Sequence, residues 1–534
     1  MDLGRSWHIL AMSAGLSAAA ERAAPSASAG RRRAGPAWLL PGGLVLAWLV
    51  VLLTHLRTPV PSDQLNYMEA AARFPEPVEV TTEMHQVTRF GLIIPARLAI
   101  AVFGYSQAAY ATVPVLATLT LLLGTFALGT VLFARPVGAA GALVVVAATP
   151  VFADSTDLLP DVLAAGLFTC AAALAVSAAQ RPDPPGRALL LTVGALLGWS
   201  YLAREFVVFM WPVVLVVLYR RARVAGMVWV LVPIVAIGAA ELLLCWRLYG
   251  DPLARVLAIT GHGKRASAPD IASTYRDKPR MLYVLRLPKT LRTYPDGGLL
   301  VALLGLTLLG GLLRPRRMAV PIAGCALLWV PLTLLGGVLD PSAPKLRLQL
   351  IRYWFPIFPE FVLGGLGLLW LGAVSLAGRF PEGARPRRFL PAALVLTVAL
   401  VTCGAAARSW WQAPSTRAGG GTQMESLRSW MRDHDSPGAR VWADPRTGKV
   451  LRVYQDGAWG GRAWSTRIRA VRPGSEGPRR GDLLVLYDTD GGRLCQVCQK
   501  AAQPMLSDPT WTGPRWQQVY GTRDHVIRVY RLAR

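Results

Sequence analysis

The sequence predicts a polytopic α-helical membrane protein of about eleven transmembrane helices, followed by a small C-terminal extracytoplasmic α/β domain. Three observations carry this. Of 534 residues, 53% are apolar and only 16% charged, below the roughly 25% charge of an ordinary soluble protein, and the mean hydropathy is +0.38. The apolar residues fall in runs near the roughly 20 residues that a bilayer core needs, and arginine clusters punctuate the runs. Past residue 408 those runs stop and short alternating segments replace them. Such a composition excludes a disordered chain and fits a soluble globular enzyme poorly. The net charge of +26, from 57 basic and 31 acidic residues, taken alone suggests nucleic acid. The arginines, however, sit in short groups between apolar runs, as cytoplasmic anchors do, so no nucleic-acid partner is expected.

The segments follow in order. Residues 1–36 form a cytoplasmic tail ending near Arg31, Arg32 and Arg33. The run 37–54 is longer than a signal-peptide core and no small-x-small site follows it, so it reads as a retained anchor with the N-terminus inside. A polar external loop spans 55–107, with 91–104 expected as a helix lying at the interface. The further spans are 108–133, 137–153, 161–180, 187–203, 206–219, 225–246, 298–313, 319–338, 353–378 and 389–407. Their inner ends meet Arg135, Arg181, Arg220, Arg221, Arg223, Arg314, Arg316, Arg317, Arg379 and Arg385. A second external loop covers 247–297. The membrane domain is thus 37–408, and an odd number of crossings puts 409–534 outside. There VWAD, KVLRVYQ, DLLVLYD and HVIRVYRL read as strands and MESLRSWMRDH as a helix.

Ionisable groups are expensive at membrane depth, so their positions are informative. In this topology Asp63, Glu83, Arg89, Asp154, Asp157, Asp161, Arg204, Glu205, Arg247, Arg347 and Arg352 fall outside or at outer helix ends, and only Glu241 lies clearly within a span. Asp63, just beyond the first span in PSDQLNY, suits a general base at the membrane surface; it equally suits a cap for the helix that follows. Asp161 has the same two readings. Arg204 and Glu205 read as a local ion pair at a tight turn, and Glu241 as the partner of Arg247. The cluster Lys345, Arg347, Arg352 and Tyr353 would hold a phosphate or lipid headgroups. Cys495 and Cys498 lie outside, where disulfides persist. A structural disulfide or two free thiols is favoured there over a redox or zinc motif, since no second ligand pair is near.

Several motifs now fall in a telling order. They are SDQLNY after the first span, R-F-G-x-x-x-P-x-x-L-x-x-x-x-F-G from Arg89 to Gly104, and TPVFADSTDLLPDVLAAGL. They continue with G-x-x-x-L-x-R-E from Gly198 to Glu205, then Arg352-Tyr353 with Pro356 and Pro359. Over roughly 37–408 the chain resembles the GT-C superfamily of membrane glycosyltransferases. Within it the resemblance is to the branch of protein O-mannosyltransferases and lipid A aminoarabinose transferases. The resemblance implies a glycosyltransferase (hexosyl- or pentosyltransferase) that moves a sugar from a polyprenyl-phosphate-linked donor to an acceptor hydroxyl on the extracytoplasmic face, by inverting single displacement. Asp63 would be the catalytic base. Asp161, with Glu83 and Arg89, would form the second-acid and acceptor region. Arg352, with Arg347 and Tyr353, would bind the donor phosphate, and Arg204 and Glu205 would line or brace the site. The implied partners are that donor, a lipid, glycan or protein acceptor, and membrane lipids. Together with a composition rich in Ala, Gly and Arg, this points to a bacterial cell membrane. Many members carry two adjacent first-loop acids; here the second position is Gln64, which argues against a metal held by the pair, so no cofactor is required and a divalent metal stays open without support from the sequence. Thr88-Arg89-Phe90-Gly91 replaces the His or Lys followed by Pro-Pro of many relatives. The alternative reading, a transporter or lipid-linked sugar flippase, needs a polar path through the bilayer that the spans do not offer.

Overall fold

The protein is described by a computed structural model over residues 38–77, 85–265, 276–381, 384–412, 421–436, 438–457, 461–472, 476–491 and 494–533. Compactness divides the chain into 1–43 and 44–534; apart from the first residues of the helix Leu39–Thr54, everything described below belongs to the second unit. Among the described residues, six helical stretches are long and apolar enough to cross a membrane: Gln107–Leu132, Pro160–Gln180, Glu205–Tyr249, Ala319–Val338, Ile351–Ala377 and Phe389–Trp411. Five shorter apolar helices accompany them: Leu39–Thr54, Phe90–Phe103, Arg135–Ala147, Arg187–Ala203 and Gly297–Leu313. At 1.5 Å per residue, helices of 13–17 residues are roughly 20–26 Å long, below the ~30 Å of a bilayer core. By length and composition six therefore qualify, against about eleven expected. The expected spans 206–219 and 225–246 lie on one long element broken at Arg223 (φ 51°, ψ −170°). The expected span 137–153 ends as a helix at Ala147 and restarts as Thr149–Asp154.

Small residues let the helices close up. A Cβ on Gly138 would stand 2.4 Å from the Phe126 carbonyl oxygen, so Gln107–Leu132 and Arg135–Ala147 touch backbone to backbone. Gly91 does the same at the site: its Cβ would lie 2.3 Å from the Ala203 nitrogen. The Trp199 indole locks that contact by donating to the Gly91 carbonyl at 3.1 Å.

The C-terminal part is a five-stranded sheet of order β2-β1-β3-β5-β4. Strands β1 (Arg440–Ala443), β2 (Arg467–Ala470) and β3 (Leu483–Tyr487) are parallel; β5 (Ile527–Leu532) runs antiparallel between β3 and β4 (Trp516–Gly521). The expected helix is present as Gly421–Asp433. The expected strand KVLRVYQ is instead part of the helix Pro445–Gln455. Asp444 caps it, accepting from the Arg446 and Thr447 amides at 2.9 and 3.0 Å, and Pro445 opens it. Its buried Thr447, Val450, Leu451 and Tyr454 recur at helical spacing, which overrides the β-branched run. Strands β2 and β4 were not anticipated. Cys495 and Cys498 form a buried disulfide at the start of Gln496–Leu506.

Candidate active site

The two residues on which the sequence reading turned are in direct contact. Asp63 is the first residue of the helix Asp63–Arg73, yet its carboxylate does not cap that helix. One oxygen accepts from Arg352 Nη2 at 2.9 Å and the other from Gln86 Nε2 at 3.0 Å. Arg352 comes from the 3₁₀ turn Ile351–Ile357, which leads into Phe358–Ala377. Gln86 comes from the short 3₁₀ turn His85–Thr88. Three separate stretches of chain thus converge on one carboxylate. Side-chain exposures of 28% for Asp63 and 22% for Arg352 keep the pair open to a ligand. Burial works against the Asp63 charge, but the Arg352 guanidinium and its hydrogen bond outweigh it and hold the carboxyl below its usual range. Asp161, Asp63 and Asp154 all act on the Arg352 charge. Burial, reinforced by neighbouring Asp157, pushes Asp154 up to about 7.

Gln64, at the position of the expected second acid, points elsewhere. It lies near Asp157, to which the Tyr110 hydroxyl donates at 3.1 Å, and Arg57 stands 3.5 Å from the same carboxylate. A buried network lies behind the pair. Arg89 donates to the Tyr67 hydroxyl at 2.5 Å and to Glu205 at 3.3 Å. Arg255 reaches Glu205 at 3.6 Å, donates to Glu241, and donates to the Tyr201 carbonyl at 2.8 Å. Arg204 Nε stands 3.0 Å from Asp161 Oδ1, outside hydrogen-bond alignment, and its guanidinium lies 4.7 Å over the Tyr353 ring.

Two expected local pairs are thereby corrected. Arg204 and Glu205 form no ion pair with each other: Arg204 meets Asp161, and Glu205 meets Arg89 and Arg255. Glu241 pairs with Arg255 rather than Arg247, because the left-handed Gly250 turns the chain back and brings Ala254–Arg265 against the span. Glu241 is also not the only acid within a span. Glu360 is fully buried in Phe358–Ala377, and neither of its oxygens has a hydrogen-bond partner among the described residues. Gly324 makes room for it, since a Cβ there would lie 2.7 Å from Glu360 Cγ. Among the described residues Arg347 has no ion-pair partner and takes no part in the cluster, and Glu83 lies outside the described residues. Sequence reasoning missed Gln86 and Arg255, which belong to no motif; Tyr67 was visible in SDQLNY. Among the described residues no three His, Cys, Asp or Glu side chains converge as a metal site.

No protein-family profile and no curated protein matches this sequence. Its fold has relatives among solved structures. ArnT, the aminoarabinose transferase of Cupriavidus metallidurans, in the apo state is 13% identical, with 92% of this chain and 97% of that chain covered and a TM-score of 0.51. The same protein bound to undecaprenyl phosphate gives 14% identity, the same coverages and a TM-score of 0.50. An Archaeoglobus fulgidus oligosaccharyltransferase tethered with an acceptor peptide is 12% identical over 93% of this chain and 75% of that chain, with a TM-score of 0.46. The chain has the fold of the GT-C membrane glycosyltransferases, with a small C-terminal sheet domain.

Proposed function

We propose that this protein is a membrane glycosyltransferase that moves a sugar from a polyprenyl-phosphate-linked donor to an acceptor hydroxyl on the extracytoplasmic face. The observation that carries the reading is the open Asp63–Arg352 contact at 2.9 Å. An acid that serves as a base and a guanidinium that serves a phosphate have to stand side by side, as Asp63 and Arg352 stand. The fold it shares with a protein crystallised with undecaprenyl phosphate supports a lipid-phosphate donor.

The donor phosphate takes the Arg352 fork, which matches its oxygens and stabilises the charge that grows as the glycosyl–phosphate bond breaks. Tyr353 packs beside the neighbouring Arg204 and shapes the same wall; Arg347, at the outer end of this segment, meets the lipid-borne phosphate on approach. Asp63, released from Arg352, accepts the acceptor hydroxyl's proton. The acceptor oxygen bonds to the anomeric carbon, and polyprenyl phosphate departs with the bonding electrons. One base and one displacement give inversion. Asp161 and Arg89, buried in ion pairs with Arg204 and Glu205, brace the acceptor side from behind. No step in this reading runs through a cofactor or metal.

The test is transfer from a radiolabelled polyprenyl-phosphate sugar by the purified protein in lipid nanodiscs. Release of polyprenyl phosphate that requires an acceptor supports the reading. Movement of intact donor across the bilayer without cleavage sinks it in favour of a flippase.

A further inference from the structure

We infer that the C-terminal domain is a clamp that aims Asp63, with Arg446 and Lys449 as its positioning residues. The inference rests on the function proposed above for Asp63. The helix Pro445–Gln455 lies against the chain on both sides of Asp63. Arg446 Nη1 donates to the Pro61 carbonyl at 2.6 Å, two residues before it. Lys449 Nζ donates to Asn66 Oδ1 and to Glu69 Oε2, each at 2.9 Å. Asn66 and Glu69 stand three and six residues beyond Asp63, and positions three apart share a helix face. Arg452 adds a longer contact to Glu69 at 3.6 Å. The polar contacts therefore bracket the candidate base.

The apolar contacts agree. Leu65, Met68 and Ala71 of the Asp63–Arg73 helix belong to the same buried core as Val450, Leu451, Tyr454, Leu483 and Val485 of the C-terminal domain. The clamp is itself rigid, because β1 runs directly into the Asp444 cap of the Pro445–Gln455 helix. A lysine at 24% exposure that meets two partners at once is not a solvated surface charge. Catalysis by an oriented base is steep in position: a displacement of about 1 Å can lower the rate about 10²-fold. Arg446 and Lys449 touch neither Asp63 nor Arg352, so they act by holding backbone and not by chemistry.

The experiment compares wild type, R446A/K449A, K449R and, from the opposite face, N66A/E69Q, all as the full chain in nanodiscs. We measure kcat, the donor KM and hydrogen exchange of residues 61–73. Expected are a kcat at least about 10-fold lower in R446A/K449A and in N66A/E69Q, an unchanged donor KM, faster exchange in 61–73 only, and recovery in K449R. Wild-type kcat with unchanged exchange in both weakened variants overturns the clamp. So does a loss confined to KM, or a loss of exchange protection spread over the whole protein in both. If wild type transfers no sugar, the proposed function fails; exchange in 61–73 still reads the clamp by itself.

Discussion

Two sets of arginine–carboxylate contacts lie near each other in this protein and differ mainly in exposure. Asp63 and Arg352 keep 28% and 22% of their side-chain surface. The set formed by Arg89, Glu205, Arg255 and Glu241 keeps 3–15%, and Arg204 with Asp161 keeps 5% and 2%. The chemistry is the same and the consequence is opposite. A sealed ion pair has lost its water and has nothing to exchange with, so breaking it leaves a buried charge alone. An open pair can trade one partner for a ligand of the same sign. The comparison teaches that the pair proposed to react is the one the fold left incompletely sealed.

Substitution separates the two sets most sharply. D63N is expected to lower transfer by roughly 10²–10⁴-fold, the value of a positioned base, with an unchanged thermal midpoint. E241Q is expected to do the reverse, lowering stability by about 3–5 kcal/mol in a melt monitored in detergent. If D63N melts early or E241Q melts like wild type, the division between open and sealed pairs collapses. R352K keeps the charge but loses the fork; with charge-assisted hydrogen bonds worth about 1.5–3 kcal/mol, kcat/KM for the donor should fall roughly 10–100-fold.

A pH profile sharpens the comparison further. In the resting protein Arg352 holds the Asp63 carboxyl below its usual range against the upward push of burial. Removing the arginine leaves burial less opposed, so in R352Q the acid limb of kcat/KM should move to higher pH. A limb that stays in place would uncouple the two residues. The smallest expected effect is none: dialysis against EDTA should leave transfer intact, checked by the same assay with and without added divalent ions.

Much of the fold was legible because apolar run length and arginine placement act locally. The helices Gln107–Leu132, Pro160–Gln180 and Arg187–Ala203 match their expected spans closely. Asp63 and Arg352 were legible because motif order marked them. Their contact bridges 289 residues, and composition says nothing about such a distance. The errors share a cause. Arg204–Glu205 and Glu241–Arg247 were paired by nearness in sequence, whereas the fold supplied better partners from Pro160–Gln180 and from the turn after Gly250. KVLRVYQ looked like a strand because its alternation is visible, while the cap at Asp444 that makes it a helix depends on one preceding residue.

The position of β5 carries a consequence for biogenesis. It lies in the interior of the sheet, hydrogen-bonded to β3 on one side and β4 on the other, so the sheet stays incomplete until Ile527–Leu532 has been synthesised. Asp63 leaves the ribosome long before. The nascent protein therefore exposes Asp63, its proposed base, before the domain proposed to hold it is complete. On the proposed clamp, a half-made chain transfers no sugar.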